Sequence, residues 1–132
     1  MKKPRVLLAD THRIMLEGLR YLLEPAFEIV GTVDNPKSLL DSADKLKPDI
    51  VVMDLSITID TVRQLKKQNP QQGIIVLSTY DEPAVMRQAL DAGSLGFVLL
   101  QSAAWDLIPA IGAVLEGQTF VSPGVHSTGE EQ

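Results

Sequence analysis

Five short apolar runs recur along this sequence, and each is followed by a stretch with the period of an α-helix. The runs occupy residues 6–9, 27–33, 50–53, 74–77 and 97–100. Apart from the second, which alternates in part, they are continuous, as is typical of strands buried on both faces of a parallel sheet. Parallel strands of one sheet are joined by right-handed crossover connections, which place helices on both faces of the sheet. The sequence therefore predicts an α/β protein with a doubly wound, five-stranded parallel sheet.

The predicted helices have recognisable ends. They cover residues 11–24, 36–47, 60–68, 83–92 and 103–116. Asn35 is expected to cap the second helix with Pro36 as its first residue, since proline is tolerated there. Asp81 or Glu82 is expected to cap the fourth helix, and Gly93 to end it in a left-handed conformation.

The last helix has two distinct faces. Its predicted buried side consists of Leu107, Ile108, Ile111, Val114 and Leu115. Trp105, Pro109 and Gly112 lie on another face, and the helix-interior proline costs about 3 kcal/mol or produces a kink. Because Trp is enriched at binding hot spots, this uncharged stripe is a candidate contact surface. The alternative is that Trp105 folds down over a neighbouring helix.

Composition excludes several classes of partner. The 132 residues suffice for one domain, and the net charge of −5 provides no basic field to attract nucleic acid or anionic lipid. Because cysteine is absent, disulfides and thiolate metal sites are excluded. The apolar run behind the basic start is too short for a signal peptide or a membrane span, so a cytoplasmic protein without membrane contact is expected.

Polar side chains follow three of the predicted strands. Asp10, Asp54 and Ser78 each stand just past an apolar run, so they should meet at one edge of the sheet. Such a group could bind a divalent cation through oxygen atoms, or use Asp54 as the nucleophile in acyl-phosphate chemistry. Alternatively, these three residues could simply be the first residues of solvated loops. The two histidines, His12 and His126, lack the spacing of metal ligands and are expected at the surface.

Several motifs together resemble a known family. They are VLLAD at residues 6–10, His12 with EGL at 17–19, PDIVVMDL at 48–55, AGSLGFVL at 92–99 and GQTFVSP at 117–123. They resemble the receiver domains of two-component response regulators, most closely those of LuxR-type (NarL-type) transcription factors. The resemblance covers roughly residues 4–123.

The resemblance implies a flavodoxin-like fold with strand order 2-1-3-4-5 and a set of site residues. Asp54 is the position that takes a phosphoryl group from a histidine kinase, and Ser78 and Phe97 are the switch positions. A Mg²⁺ site would involve Asp10, Asp54 and Ser56. The receiver would span residues 1–122 and form a homodimer, with 123–132 as a linker or disordered tail. DNA would be bound only through a helix-turn-helix domain beyond this chain.

Three departures from the family pattern fall in the site itself. Thr11 stands where a second acidic residue is usual, next to Asp10, and Leu100 stands where a lysine is usual. The loop at residues 55–60 looks about four residues short. Loss of the acid removes a metal ligand, and loss of the lysine removes a hydrogen bond to a charged group worth about 1.5–3 kcal/mol. Thr11 is left able to donate a hydrogen bond to a carboxylate.

These departures favour a degenerate phosphorylation site. The leading hypothesis is a non-enzymatic regulatory receiver of a transcription regulator, with weakened Mg²⁺ binding and little or no phosphorylation. One alternative is a conventional receiver that a histidine kinase phosphorylates on Asp54. Another is a small ligand-binding or enzymatic α/β domain that uses the pocket at Asp10 and Asp54. Against the latter, no Gly-rich phosphate loop follows the first strand.

Overall fold

The computed structural model describes residues 2–125 and contains one parallel sheet. Its strands are β1 (Arg5–Ala9), β2 (Glu28–Val33), β3 (Ile50–Asp54), β4 (Gly73–Ser78), β5 (Gly96–Leu99) and β6 (Phe120–Val121). They are ordered β2-β1-β3-β4-β5-β6. The predicted order of the first five strands is confirmed, but the predicted count of five is wrong. The sixth strand has two residues, too few to show a hydrophobic period.

Helices connect the strands as predicted. They are α1 (Arg13–Leu23), α2 (Pro36–Leu46), α3 (Ile59–Gln68), α4 (Pro83–Ala92) and α5 (Ala103–Leu115). The Asn35 side chain accepts a hydrogen bond from the Ser38 backbone N–H at 2.8 Å, which confirms the predicted cap of α2. Glu82 is the cap residue of α4, although its side chain makes no capping bond. Gly93 ends α4 with a φ of 121°, which an L side chain rarely adopts.

The helices cover the two faces of the sheet, and alternate strand residues point to opposite faces. On one face Val6 and Leu8 pack with residues of α1 and α5. On the other face Leu7 and Ala9 pack with residues of α2, α3 and α4. All four of these side chains are fully buried. A strand buried on both faces has no polar side, which explains its continuous apolar run.

The buried side of α5 differs from the prediction at two positions. Leu107, Ile111 and Val114 are buried as expected, but Ile108 and Leu115 are 39% and 41% exposed. Both lie beside the buried stripe, which is completed by smaller side chains, Ala103 and Ala110. The prediction was wrong because apolar character was taken as a sign of burial. Pro109 is exposed, and the helix runs through it from Ala103 to Leu115.

A polar cluster fixes the chain after α5. The Asp106 carboxylate (Oδ2) accepts hydrogen bonds from the Ser102 and Ser122 hydroxyls, each at 2.8 Å. The Ser122 hydroxyl in turn accepts from the Leu99 backbone N–H at 3.0 Å. The chain then turns at residues 123–124, and the Val125 backbone N–H donates to the Ser122 carbonyl. The rest of the predicted tail, residues 126–132 with His126, lies outside the described residues.

Within residues 2–125, none of the helices has the length and apolar character needed to cross a membrane.

The difference between neighbouring residues of α5 gives a test of the fold. Leu107→Ala removes a fully buried side chain and should lower the free energy of unfolding by about 2–5 kcal/mol. Ile108→Ala truncates a side chain that is 39% exposed and should cost well under half as much. Urea denaturation of both variants measures the difference. Equal losses would contradict the orientation of α5.

Candidate functional site

The parallel register brings the predicted site residues to one edge of the sheet. Ala9 pairs with Met53 across β1 and β3, so Asp10 and Asp54 follow their strands side by side. Asp54 itself pairs with Leu77 of β4. A cavity of about 460 Å³ opens at this edge; its lining consists of Asp10, His12, Ile14, Met15, Asp54, Leu55, Ser56, Thr79, Tyr80 and Leu100. Asp10 and Asp54 therefore lie together as predicted, whereas Ser78, the third predicted member of the group, is not among the lining residues.

Asp10 is a buried carboxylate with one oxygen bonded and one free. Its side chain is only 1% exposed. Its Oδ1 accepts a hydrogen bond from the His12 backbone N–H at 2.8 Å and lies 3.0 Å from the His12 ring nitrogen Nδ1. Its Oδ2 is also buried and has no hydrogen-bond partner among the described residues. A buried polar atom without a partner costs roughly 1–3 kcal/mol, and more when charged.

Asp54 is partly buried and held by the loop that follows it. Its Oδ2 accepts a hydrogen bond from the Ser56 backbone N–H at 2.8 Å. The Ile57 backbone N–H donates to the Asp54 carbonyl at 2.9 Å, and the Ile57 side chain is 1% exposed. The short loop is thus anchored in the core directly after the carboxylate. Because the Ser56 backbone N–H orients its carboxylate, the Asp54 side chain has a defined position at the mouth of the cavity.

Thr11 and Ser56 lie close to the carboxylates without bonding to them through their hydroxyls. The Thr11 hydroxyl is 3.4 Å from His12 Nδ1, and among the described residues it makes no hydrogen bond to a carboxylate. The Ser56 hydroxyl accepts a bond of 3.4 Å from the Thr11 backbone N–H. The hydrogen bond that Thr11 could donate to a carboxylate is therefore not formed among the described residues. The threonine is exposed and is not among the residues that line the cavity.

Leu100 occupies the rim of the cavity. It begins a 3₁₀ turn, Leu100–Ser102, rather than ending β5 as the apolar run had predicted. In the part of the chain that the structure describes, no Lys or Arg lines the cavity. The two carboxylates of Asp10 and Asp54 therefore face an apolar side chain where a cation would balance them. With both ionised, the cavity carries two negative charges.

Ser78 and Phe97 are both buried beside the cavity. The Ser78 hydroxyl donates to the Tyr80 carbonyl at 3.0 Å and accepts from the Tyr80 backbone N–H at 2.8 Å. It is 1% exposed and is not part of the cavity lining, which Thr79 and Tyr80 reach instead. Phe97 is fully buried among the residues under α2, α3 and α4. Their switch roles remain predictions.

His12 lies closer to the two carboxylates than its place in the sequence predicted. It offers a ring nitrogen in a group with Asp10 and Asp54 in which one ligand atom from each residue lies within 4.8 Å of the others. Its side chain is 68% exposed, as expected for a surface residue. The spacing between His12 and His126 carries no information about the distance from His12 to Asp10. The sequence signal for this contact was a histidine two residues after an aspartate at the end of a strand. An aspartate often accepts a hydrogen bond from the backbone N–H two residues on, and here the bond from the His12 N–H to Asp10 Oδ1 forms such a turn.

The uncharged stripe of α5 faces outwards. Trp105 is 75% exposed, and Pro109 and Gly112 are exposed as well. Ile108 extends this surface, which we call the α5 face (Trp105, Ile108, Pro109 and Gly112). The alternative in which the indole covers a neighbouring helix is excluded by its exposure.

Comparison with known protein families identifies the class. The family model described as "Response regulator receiver domain" matches residues 6–111. The match covers most of the chain and includes Asp10, Asp54 and Leu100. The chain therefore belongs to the response regulator receiver domain family.

Its relatives include transcriptional regulatory proteins. YdfI of Bacillus subtilis (strain 168) is 30% identical over 127 residues, which is 92% of this chain and 59% of YdfI. RcsB of Escherichia coli (strain K12) is 31% identical over 134 residues, which is 95% of this chain and 62% of RcsB. The chain thus spans about three-fifths of the length of these relatives.

Solved structures share the fold. A LuxR-family two-component response regulator from Aurantimonas sp. SI85-9A1 superimposes with a TM-score of 0.89 at 29% identity, covering 94% of this chain and 93% of that one. The isolated receiver domain of RcsB from Salmonella enterica serovar Typhimurium, solved in the presence of the phosphomimetic BeF₃⁻, superimposes with a TM-score of 0.85 at 31% identity, covering 94% of this chain and 96% of that one. The order of the first five strands fits this class.

The hydrogen bonds of Ser78 give a prediction for the loop after β4. Ser78→Ala removes the acceptor of the Tyr80 N–H, a bond worth about 1 kcal/mol, so the exchange of that amide should accelerate by about 5-fold. Amide hydrogen exchange followed by NMR measures it. Thr79→Ala is the matched control and should leave the Tyr80 amide unchanged. Equal protection in Ser78→Ala and the unaltered protein would contradict the geometry.

Proposed function

We propose that this chain is the regulatory receiver of a LuxR-type transcription regulator and that Asp54 accepts a phosphoryl group poorly or not at all. The proposal is supported by the residues found at the rim of the cavity. Leu100 lies where the family pattern has a lysine. The described cavity lining contains no Lys or Arg. The cavity retains the acceptor while lacking the cation that would face the incoming phosphoryl oxygens.

The mechanism of phosphoryl transfer explains why the missing cation matters. The protein contributes mainly by positioning the reacting groups and stabilising charge on the equatorial oxygens. A hydrogen bond from a charged donor is worth about 1.5–3 kcal/mol, which corresponds to roughly 10- to 150-fold in a rate or equilibrium. Leu100 has no donor group, so it contributes none of this stabilisation. Asp54 would thus have to react as a nucleophile beside a second carboxylate with no cation in reach.

The Mg²⁺ site that the resemblance implies fits these residues poorly. Mg²⁺ requires near-octahedral oxygen coordination, so each oxygen ligand that is lost weakens its binding. Asp10 and Asp54 are present, but Thr11 replaces a third acid, and the Ser56 hydroxyl is 3.4 Å from a backbone donor. The remaining group within reach is an imidazole nitrogen. We assign the cavity weakened Mg²⁺ binding, which lowers phosphorylation further.

A conventional receiver remains the second candidate, because one observation favours it. Asp54 is partly exposed at the cavity mouth, and the Ser56 N–H holds one of its oxygens in place. A nucleophile in this position needs only a phosphoryl donor and a metal ion in order to react. In that case a histidine kinase is the partner, and Ser78 would have to leave Tyr80 to reach the phosphoryl group.

The role in transcription is proposed from the relatives. Structures of RcsB include two dimers bound to two parallel DNAs and an RcsB–DNA complex. This chain covers 66% of each of those chains. We assign it the regulatory part of such a protein, in which DNA contact is made by a domain outside the matched region.

Self-association is the output that we assign to the α5 face. An exposed Trp flanked by Ile108, Pro109 and Gly112 gives an apolar, uncharged patch on an otherwise acidic protein. Trp side chains anchor protein interfaces because they bury a large area with few rotatable bonds. A dimer formed through this face would pair the same residues across a two-fold axis.

Phosphodonor labelling tests the proposed function. With acetyl phosphate or phosphoramidate and Mg²⁺, intact mass spectrometry of the folded protein should show little or no phosphate adduct. The double variant Thr11→Asp with Leu100→Lys restores the acid and the cation, and it should gain an adduct that a further Asp54→Ala change removes. Stoichiometric labelling of the unaltered chain, lost in Asp54→Ala, would establish the conventional receiver instead.

The α5 face is tested by a charge inserted at its centre. Trp105→Glu should convert a dimer into a monomer, because a carboxylate cannot be buried against a second copy without a partner. Light scattering coupled to size exclusion measures the mass. Tyr21→Glu is the matched control, since Tyr21 is an aromatic residue of α1 that is 85% exposed. A dimer that survives Trp105→Glu, or dissociates with Tyr21→Glu alone, would overturn the assignment.

A further inference from the structure

The Asp106 carboxylate joins two parts of the chain that are distant in sequence. Its Oδ2 accepts one hydrogen bond from Ser102, in the turn after β5, and one from Ser122, just after β6, each at 2.8 Å. The Ser122 hydroxyl also accepts from the Leu99 backbone N–H at 3.0 Å. Because Ser122 is only 1% exposed, its bonds are shielded from competing water. One carboxylate thus links the turn to the chain that leaves the sheet.

The same turn reaches the cavity that contains the phosphoacceptor position. Leu100 is its first residue and lines that cavity. Leu99, directly before it, pairs with Ser78 of β4, and Ser78 holds the lining residue Tyr80 by two hydrogen bonds. The backbone of Leu99 therefore lies between the cavity and Ser122. A displacement of Leu99 is shared by both.

The chain after β6, which we call the C-terminal segment (Ser122–Val125), lies close against β5. A Cβ built on Gly124 would be 2.8 Å from Leu99 Cδ1, a distance that Cβ atoms in proteins essentially never show. Val125 packs against the core under α2, α3 and α4. On its outer side the segment borders a second cavity of about 480 Å³, which Gly124 and Trp105 help to line. The segment is thus seated on Leu99 and has space beside it into which it can move.

We propose that Asp106 and Ser122 form a latch, which holds the C-terminal segment on β5 and couples its release to the position of Leu100 at the cavity rim. Both are positioning residues that act through the backbone of Leu99. Displacement of the turn weakens the Leu99–Ser122 and Ser122–Asp106 bonds together, because both end on the same hydroxyl. Release of the segment in turn loosens the rim, since coupling between two sites is reciprocal. The cavity rim thereby controls the path on which the chain leaves the sheet, and no phosphoryl group is required.

This inference goes beyond the proposed function and does not rest on it. The latch is measured in the unmodified chain, without a phosphodonor or Mg²⁺, whereas phosphoryl acceptance is measured by mass. A chain that is labelled on Asp54 can still hold its C-terminal segment in this way. A chain that is never labelled can lack the coupling, so the two ideas fail separately.

Amide hydrogen exchange of the full chain, followed by NMR, tests the latch. Ser122→Ala removes both bonds of the hydroxyl, so exchange of the Leu99 amide should accelerate by about 10-fold and that of the Val125 amide by about 3-fold. The amide signals of Leu100 and Tyr80 at the cavity should shift as well. A role confined to holding the segment would leave these two signals in place.

Two further variants perturb the latch from its two sides. Leu100→Lys changes the cavity rim alone and should accelerate exchange of the Val125 amide by about 3-fold, because the new ammonium is drawn towards Asp54 and displaces the turn. Gly124→Ala places a Cβ against Leu99 without removing a hydrogen bond. It should reproduce the pattern of faster exchange that Ser122→Ala gives.

Ser94→Ala is the matched control. Ser94 is a buried serine just before the opposite end of β5, and its hydroxyl bonds two backbone carbonyls. Its replacement should leave the Leu99 and Val125 amides and the cavity signals unchanged. The proposal is overturned if Ser122→Ala leaves the Leu99 and Val125 amides protected, if Leu100→Lys leaves Val125 unchanged, or if Ser94→Ala produces the same pattern.

Discussion

The parallel pairing of β1, β3 and β4 is the constraint on which the site depends. The Ala9–Met53 and Asp54–Leu77 pairs fix where each strand ends. A shift of one residue in this register would turn the core side chains of a strand to the opposite face, so burial on both faces holds the register firmly. The carboxylates are therefore positioned by the core rather than by contacts with each other. This explains how the cavity can depart from the family pattern while the fold is retained.

Charge is the second constraint. The cavity collects the carboxylates of Asp10 and Asp54, and an apolar Leu100 stands at its rim. Two like charges in a partly buried site are unfavourable unless a cation accompanies them. In the family pattern a lysine and a metal share that task. Here the lysine is replaced, and the imidazole of His12 stands beside the acids. The proposal of poor phosphoryl acceptance follows from the loss of that cation.

Much of this architecture could be predicted from the sequence, because continuous apolar runs and turn residues carry a local signal. The meeting of Asp10 and Asp54 followed from the rule that parallel strands share a carboxyl edge. What escaped prediction depends on non-local geometry. The Phe120–Val121 strand is defined by pairing with β5, and the exposure of Ile108 depends on what α5 packs against. The place of His12 beside Asp10 depends on the turn in which its N–H bonds to Asp10 Oδ1, and the spacing between the two histidines carries no signal of that turn.

The central claim is that a receiver fold is retained around a cavity that no longer accepts a phosphoryl group well. Titration with BeF₃⁻ and Mg²⁺, followed through the amide signals of Ser78, Thr79 and Tyr80, tests it most directly, since the related RcsB receiver was solved with this phosphomimetic. The account predicts that these signals stay in place and that the Ser78–Tyr80 hydrogen bonds persist. Saturable shifts of all three amides in the unaltered chain, absent in Asp54→Ala, would contradict it.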